Sequence, residues 1–314
     1  MILGIGSGNP VGIAGALFHV INHAVYKSCL FFCSGNVEYR ARSAEFDKLG
    51  GLGKAMPLTY ISCLIAGLSV SGIPPFNGFV SKWLIYQGVI SNILGSLSVS
   101  QLIFCIFCLL AAMFGSALTL AAIMKLLHAV FLGERLNVEG NKTIKEVSAG
   151  MWGPGLALAF ICVIFGVFAF ILPLKYLIFP AVGPIPSATI FIGVWSPVQA
   201  TLLIGLGLIA GLIIFRMISL KSGLRQDSVF TGGEKEQPKE AMVTGVEFYN
   251  TIEEMPFLRR VYKRANAGIF DIYEQGKKLK IISKPLVILH NGILPTYLVW
   301  MLLGMLGLFF FLAR

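Results

Sequence analysis

The chain has 314 residues, 56% of them hydrophobic and 13% charged, with a formal net charge of +10 and a mean hydropathy of +0.80. These proportions fall outside the range of soluble domains. They exclude a soluble enzyme, a secreted disulfide scaffold and a disordered chain, because several apolar runs reach the roughly 20 helical residues needed to cross a bilayer. On such a protein the positive excess reports orientation and contact with anionic lipid, not nucleic acid.

The first residues, Met1 to Gly8, are uncharged and rich in glycine, without the basic segment or cleavage site of a secretory signal. Insertion is therefore expected to rely on the first span. Apolar length and punctuation predict six crossings, at about 12–35, 57–92, 100–132, 152–178, 191–219 and 288–313. The second run is too long for one straight helix and carries Gly72, Pro74, Pro75 and Gly78 at its centre. Prolines remove backbone donors and glycines loosen the helical ladder, so a broken helix is expected there. The third run is long enough to be tilted or to extend beyond the bilayer. The expected fold is an all-α polytopic bundle of about six transmembrane helices, one of them broken, with an amphipathic cytoplasmic segment.

Alternating crossings place the gaps 36–56, 133–151 and 220–287 on one side of the membrane. They hold 19 of the 25 lysines and arginines and all 15 aspartates and glutamates. The positive-inside rule makes this side cytoplasmic and leaves both termini outside. The domain plan is a transmembrane bundle over 1–219, a cytoplasmic segment over 220–287 and a closing helix over 288–314. Within 220–287, Lys221 to Glu240 reads as a polar linker. From Val246 onward, Tyr249, Ile252, Leu258, Val261, Ile269 and Ile272 recur at helical spacing among Arg259, Arg260, Lys263, Arg264, Lys277, Lys278 and Lys280. This pattern suits a basic amphipathic helix at the interface, with Pro256 opening its main part and Gly268 and Gly276 bending or ending it. A small soluble helical hairpin fits the same pattern.

All six cysteines lie inside apolar runs and read as small buried hydrophobes. Cys105 and Cys108 form a C-x-x-C without the second pair or histidine that a zinc or iron-sulfur site requires. No P-loop or dinucleotide fingerprint is present, and no carboxylate lies inside a span.

The basic residues inside the spans are more informative. Lys175, Arg216 and Arg314 lie near span ends and can snorkel. An unpaired cation deeper in a span costs at least about 2.5 kcal/mol, so such residues face protein or water. His19, His23 and Lys27 follow one another at steps of four, which sets two imidazoles and an ammonium on one helical stripe. Asn22 and Tyr26 sit beside them. This pattern suits a proton wire, and it also suits a polar seam between packed helices. Lys82 follows the broken stretch and is about ten residues from the expected span end, too far to reach the interface. Unpaired backbone groups at a mid-membrane break are tolerated only where they line protein or a water-filled cavity, which is where ion sites occur. Lys125 and His128 share a face near the cytoplasmic end of the third span and suit either proton uptake or an interfacial anchor. His290 suits a capping or interface position.

Two blocks carry a resemblance. Phe18-His-Val-Ile-Asn-His-Ala-Val-Tyr-Lys-Ser-Cys-Leu-Phe-Phe-Cys-Ser-Gly resembles the histidine and lysine helix of antiporter-like subunits. Those subunits are shared by respiratory complex I, multisubunit sodium/proton (Mrp-type) antiporters and energy-converting membrane-bound hydrogenases. Gly72-Ile-Pro-Pro-Phe-Asn-Gly-Phe-Val-Ser-Lys82 resembles their second broken helix. The likeness runs from about Gly8 to His128, with topological agreement beyond.

It implies that Lys82 is the terminal proton-exchanging lysine of a half-channel, with Lys27 as a relay and His19 and His23 connecting them through water. It also implies a proton, or sodium/proton, translocating subunit that has no redox cofactor of its own. Iron-sulfur or other redox cofactors are then expected in peripheral partner subunits of an oxidoreductase or hydrogenase-type complex. Family members contain two inverted repeats, and this chain begins inside the second. Further membrane subunits are therefore expected as partners, including a chain that supplies the first repeat. The alternative is a non-conducting subunit that clamps a larger complex. Lipid is an expected partner, and nucleic acid is not.

Overall fold

A computed structural model describes residues 1–95, 98–133, 144–183, 197–222, 249–278 and 292–312. The chain divides into two units, Met1–Phe248 and Tyr249–Arg314, a boundary between the two expected at 219 and 287. The described residues form a helical membrane protein. Five helices are long and apolar enough to cross a bilayer, and a shorter apolar helix, Pro57–Ser71, forms part of a further crossing.

In the first unit, α1 (Ile2–Gly6) leads into α2 (Pro10–Ala41). The side chain of Asn9 accepts from the Val11 amide at 2.9 Å, and Pro10 occupies the first helical position, where its missing N–H costs nothing. At 32 residues, α2 is about 48 Å long and outreaches the hydrocarbon core. It runs past the expected end near residue 35. The Asn36 amide is buried and donates to Thr59 Oγ1 at 3.4 Å, which holds the extra turns against the bundle.

The second crossing is broken, as expected, into α3 (Pro57–Ser71) and α4 (Asn77–Ile93). Gly72 ends α3 at φ +82°, a left-handed conformation that costs glycine little. The third, α5 (Val99–Leu127), continues through a π-helical stretch, His128–Leu132. Phe104, Phe107, Leu110 and Phe114 are exposed on it, as an apolar surface suited to lipid or a neighbouring membrane subunit.

The fourth crossing covers the expected stretch but loses regular helix in its last third. Helix α6 (Ala149–Val167) stops about three turns before residue 178. The chain turns over 168–172, the Leu174 amide bonds to Ala169 O at 2.9 Å, and a π segment Leu174–Ile178 leads into α7 (Phe179–Val182). Pro173 lies at this junction and has no amide to continue the ladder. The segment continues along α2 and buries Ala169, Leu174 and Ile178 against Val11, Ala14, Phe18, Val80 and Leu84. Helix α8 (Pro197–Ser222) follows, with exposed leucines along much of its length, including Leu202, Leu206 and Leu212.

Helix α2 is the central post, packed on α3, α4 and α6. It carries two apolar clusters. One contains Val11, Ala14 and Phe18; the other contains Tyr26, Cys29, Cys33 and Val37, with Cys63, Ile123 and Cys162 from neighbouring helices. Four cysteines are thus buried as small apolar groups, whereas Cys105 and Cys108 are half-exposed on α5. Between the two clusters lies a short polar layer.

In the second unit the basic stretch forms three short helices: α9 (Asn250–Glu253), α10 (Pro256–Asn266) and α11 (Ile272–Lys278). Pro256 opens α10 as expected, Gly268 at φ +77° separates it from α11, and Gly276 lies inside α11. The closing helix α12 spans Leu294–Leu312. The linker from residue 223 onward, Val246, Lys280, His290 and Arg314 lie outside the described residues.

The packing of α6 on the break depends on Gly166, where a Cβ would collide with Pro75 O and the backbone of Phe76 and Asn77. Gly166→Val is expected to destabilise the detergent-solubilised protein by about 1–3 kcal/mol. Gly115→Val, at a position with open space around it, should have little effect. Thermal unfolding of the two variants side by side checks this.

Candidate functional site

The polar layer is built around the break. A helix leaves its last four carbonyls without intrahelical partners, and in α3 each one is accounted for. The Ile73 amide donates to Leu68 O at 3.1 Å and the Gly72 amide to Ser69 O at 3.0 Å. The remaining two are taken by Lys82, whose Nζ donates to Val70 O at 3.0 Å and Ser71 O at 3.2 Å. The ammonium thus sits at the negative end of the α3 dipole. Its stem runs beside Gly72, where a Cβ would stand 2.9 Å from Lys82 Cδ. Gly78 permits a similar approach, since a Cβ there would collide with Ser69 O.

A second set of contacts ties the break to α2. Asn22 and Asn77 bond reciprocally: Asn22 Nδ2 donates to Asn77 O at 3.0 Å, and Asn77 Nδ2 donates to Asn22 Oδ1 at 2.9 Å. Ser69 Oγ also donates to Asn77 Oδ1. All three side chains are buried, so each needs such partners to offset its loss of water. One turn along, His19 Nδ1 and Ser81 Oγ are 2.8 Å apart, and His19 Nε2 lies 3.3 Å from the Tyr26 hydroxyl. The chain of groups therefore runs from Tyr26 through His19 to Ser81, the residue preceding Lys82. Both imidazole nitrogens of His19 face hydroxyls, which can donate or accept as the tautomer requires.

The expected stripe is only partly gathered into this site. His19 joins it, whereas His23 and Lys27 are exposed on the outer face of α2. The His23 ring meets the Tyr26 ring edge-on at 5.5 Å between centroids. The residues one position earlier at the same spacing, Asn22 and Tyr26, are the buried ones. Helical spacing points to the stripe and not to Asn22, Tyr26, Ser69, Asn77 and Ser81. Their signal in the sequence is small polar residues flanking a proline-glycine break inside an otherwise apolar run. Lys125 and His128 lie half-buried where α5 passes into its π segment. The loop after α2 docks beside them, with the Leu52 and Gly53 amides donating to Val130 O and Phe131 O. Among the described residues no group of three or more histidines, cysteines or carboxylates is placed to hold a metal.

The Asn22–Asn77 pair is expected to hold α2 to the break. A double-mutant cycle with Asn22→Ala and Asn77→Ala, read by thermal unfolding in detergent, should give a coupling energy of about 1 kcal/mol. Additive effects would contradict the pairing.

Comparison with known proteins agrees with this architecture. Residues 1–107 match a family model described as NADH:quinone oxidoreductase/Mrp antiporter, transmembrane. Formate hydrogenlyase subunit 3 of Escherichia coli (strain K12) is 32% identical over 210 residues, 65% of this chain and 33% of that protein. A Na(+)/H(+) antiporter subunit A1 of Staphylococcus saprophyticus is 36% identical over 177 residues, 55% of this chain and 21% of its own length. Among solved structures, a chain of the membrane-bound sulfane sulfur reductase, an archaeal respiratory membrane complex, aligns with a TM-score of 0.60 and 27% identity over 95% of this chain and 48% of its own. The chain thus spans a third or less of these curated relatives and about half of the solved one. It resembles, over part of their length, the antiporter-like membrane subunits shared by respiratory complex I, Mrp-type antiporters and hydrogenase-type complexes.

Proposed function

We propose that this chain is an ion-translocating membrane subunit of a multisubunit, redox-driven complex, moving protons or exchanging protons with sodium. The observation that carries the reading is the seat of Lys82. Its ammonium closes the carbonyl end of a half-helix inside the membrane and adjoins, through Ser81, a histidine placed between two hydroxyls. A lysine in this position gains or loses stabilisation as its contacts with the α3 carbonyls form or break, and a proton is then taken up or released. In this reading Lys82 is the exchanging group and His19 its neighbour in the path. His23 and Lys27 continue the path on the α2 surface, and Lys125 with His128 serves proton uptake at the charged-loop side.

The exposure of His23 and Lys27 on a membrane-crossing helix supports a partner there, because a charge facing hydrocarbon is costly. The proposed partner is a neighbouring membrane subunit of the complex. The charged loops then face the cytoplasm, and the redox cofactors lie in peripheral subunits. Gentle-detergent purification of the tagged chain from its host, with mass spectrometry of what accompanies it, should find an antiporter-like membrane chain together with redox subunits. Redox subunits without such a chain would favour a clamp without a complete ion path.

The decisive variant is Lys82→Met. In membrane vesicles from the host, energised by the complex's own electron donor, it should abolish ion translocation while the complex still assembles. Translocation at the normal rate would overturn the proposal.

A further inference from the structure

The opposite end of α3 is held in an unusual way. Its N-cap residue, Met56, has no capping side chain, and Pro57 follows at the first helical position. The two amides after it are satisfied from 88 and 87 residues away, by Glu146 in the segment before α6. Glu146 Oε2 accepts from Leu58 N at 2.9 Å and Thr59 N at 3.2 Å, and Oε1 accepts from Thr59 Oγ1 at 2.7 Å. The cap is itself tied down. Arg40, near the end of α2, donates to the Glu146 carbonyl at 2.7 Å, and the buried Asn36 amide donates to Thr59 Oγ1 at 3.4 Å.

Helix α3 therefore carries an anion at its positive end and the Lys82 ammonium at its negative end, each matched to the dipole. The helix has 15 residues, about 22 Å, and no break between the two ends. A straight, hydrogen-bonded helix moves as a unit, so the restraint at Leu58 and Thr59 helps to fix where the Val70 and Ser71 carbonyls stand.

We infer that Glu146 is a positioning residue for Lys82: its carboxylate, on a residue whose backbone carbonyl is fastened to α2 through Arg40, anchors the amide end of α3 and so holds the two carbonyls that receive the lysine ammonium. The inference rests on Lys82 being the exchanging group. It also ties the charged-loop side of the membrane to the mid-membrane break, because Glu146 belongs to the loop between α5 and α6.

The test compares Glu146→Ala, Glu146→Asp and Thr59→Val with Lys82→Met in the assembled complex in vesicles, with translocation expressed per copy of the chain. A merely structural cap would lower the amount of complex and leave the rate per copy unchanged. A positioning cap lowers the rate per copy. Glu146→Ala is expected to reduce it about fivefold, the factor corresponding to loss of a typical cap, and Glu146→Asp is expected to restore most of it. A wild-type rate per copy for Glu146→Ala, with Lys82→Met inactive, overturns the inference and leaves the proposed function standing. A wild-type rate for Lys82→Met overturns the proposed function instead. If Glu146→Ala does not accumulate, Thr59→Val decides, because it removes one donor to the carboxylate and leaves the backbone cap. A lowered rate per copy supports the positioning role, and an unchanged one refutes it.

Discussion

The structure turns on one constraint: backbone carbonyls freed by breaking a helix inside a membrane must find donors, because no bulk water is there to supply them. In α3 two of the four are met by neighbouring amides and two by the Lys82 ammonium. The lysine is at once the structural answer to the break and, in the proposed function, the group that exchanges the proton. Close packing around the break follows from the same need. Gly78 and Gly166 bring Ser69, Pro75 and Asn77 together without the bulk of a side chain, and the polar groups so buried are paired across α2, α3 and α4.

The polar layer is confined to the middle of α2, with an apolar cluster on either side of it. That arrangement gathers the buried polar groups of the break at one level of the bundle, where they satisfy one another. It also separates two populations along one helix. Asn22 binds the break from the buried face, Tyr26 is buried and meets His19 at the boundary, and His23 and Lys27 look outward. A helix with polar groups on both faces at mid-membrane is suited to lie between two protein masses. This fits a chain that spans only part of the length of its relatives.

Much of this was legible in the sequence. The number and approximate places of the crossings followed from apolar run length, and the break and its lysine followed from proline and glycine chemistry beside a charge too deep to snorkel. Other features depend on contacts distant in sequence and were not legible. Spacing placed His19, His23 and Lys27 on one stripe, but only packing decides which edge of a stripe is covered, and the covered edge proved to be one residue earlier. The interruption of regular helix at Phe168–Leu172 contains no glycine, and its one local signal is the Pro173 that follows. In the basic stretch after residue 249, Pro256 and Gly268 mark the bounds of α10, whereas Gly276 lies inside α11. The cap supplied by Glu146 crosses 88 residues, and no local signal announces it.

The most direct test of the account asks whether a positive charge at position 82 is what matters. Lys82→Cys would be assayed in vesicles before and after alkylation, either with a reagent that appends an aminoethyl group and regenerates a lysine-like side chain or with one that appends a neutral amide. The account predicts that the cysteine variant is inactive in translocation, that the aminoethyl adduct restores activity, and that the neutral adduct does not. Equal restoration by both adducts, or full activity of the unmodified cysteine variant, would contradict it.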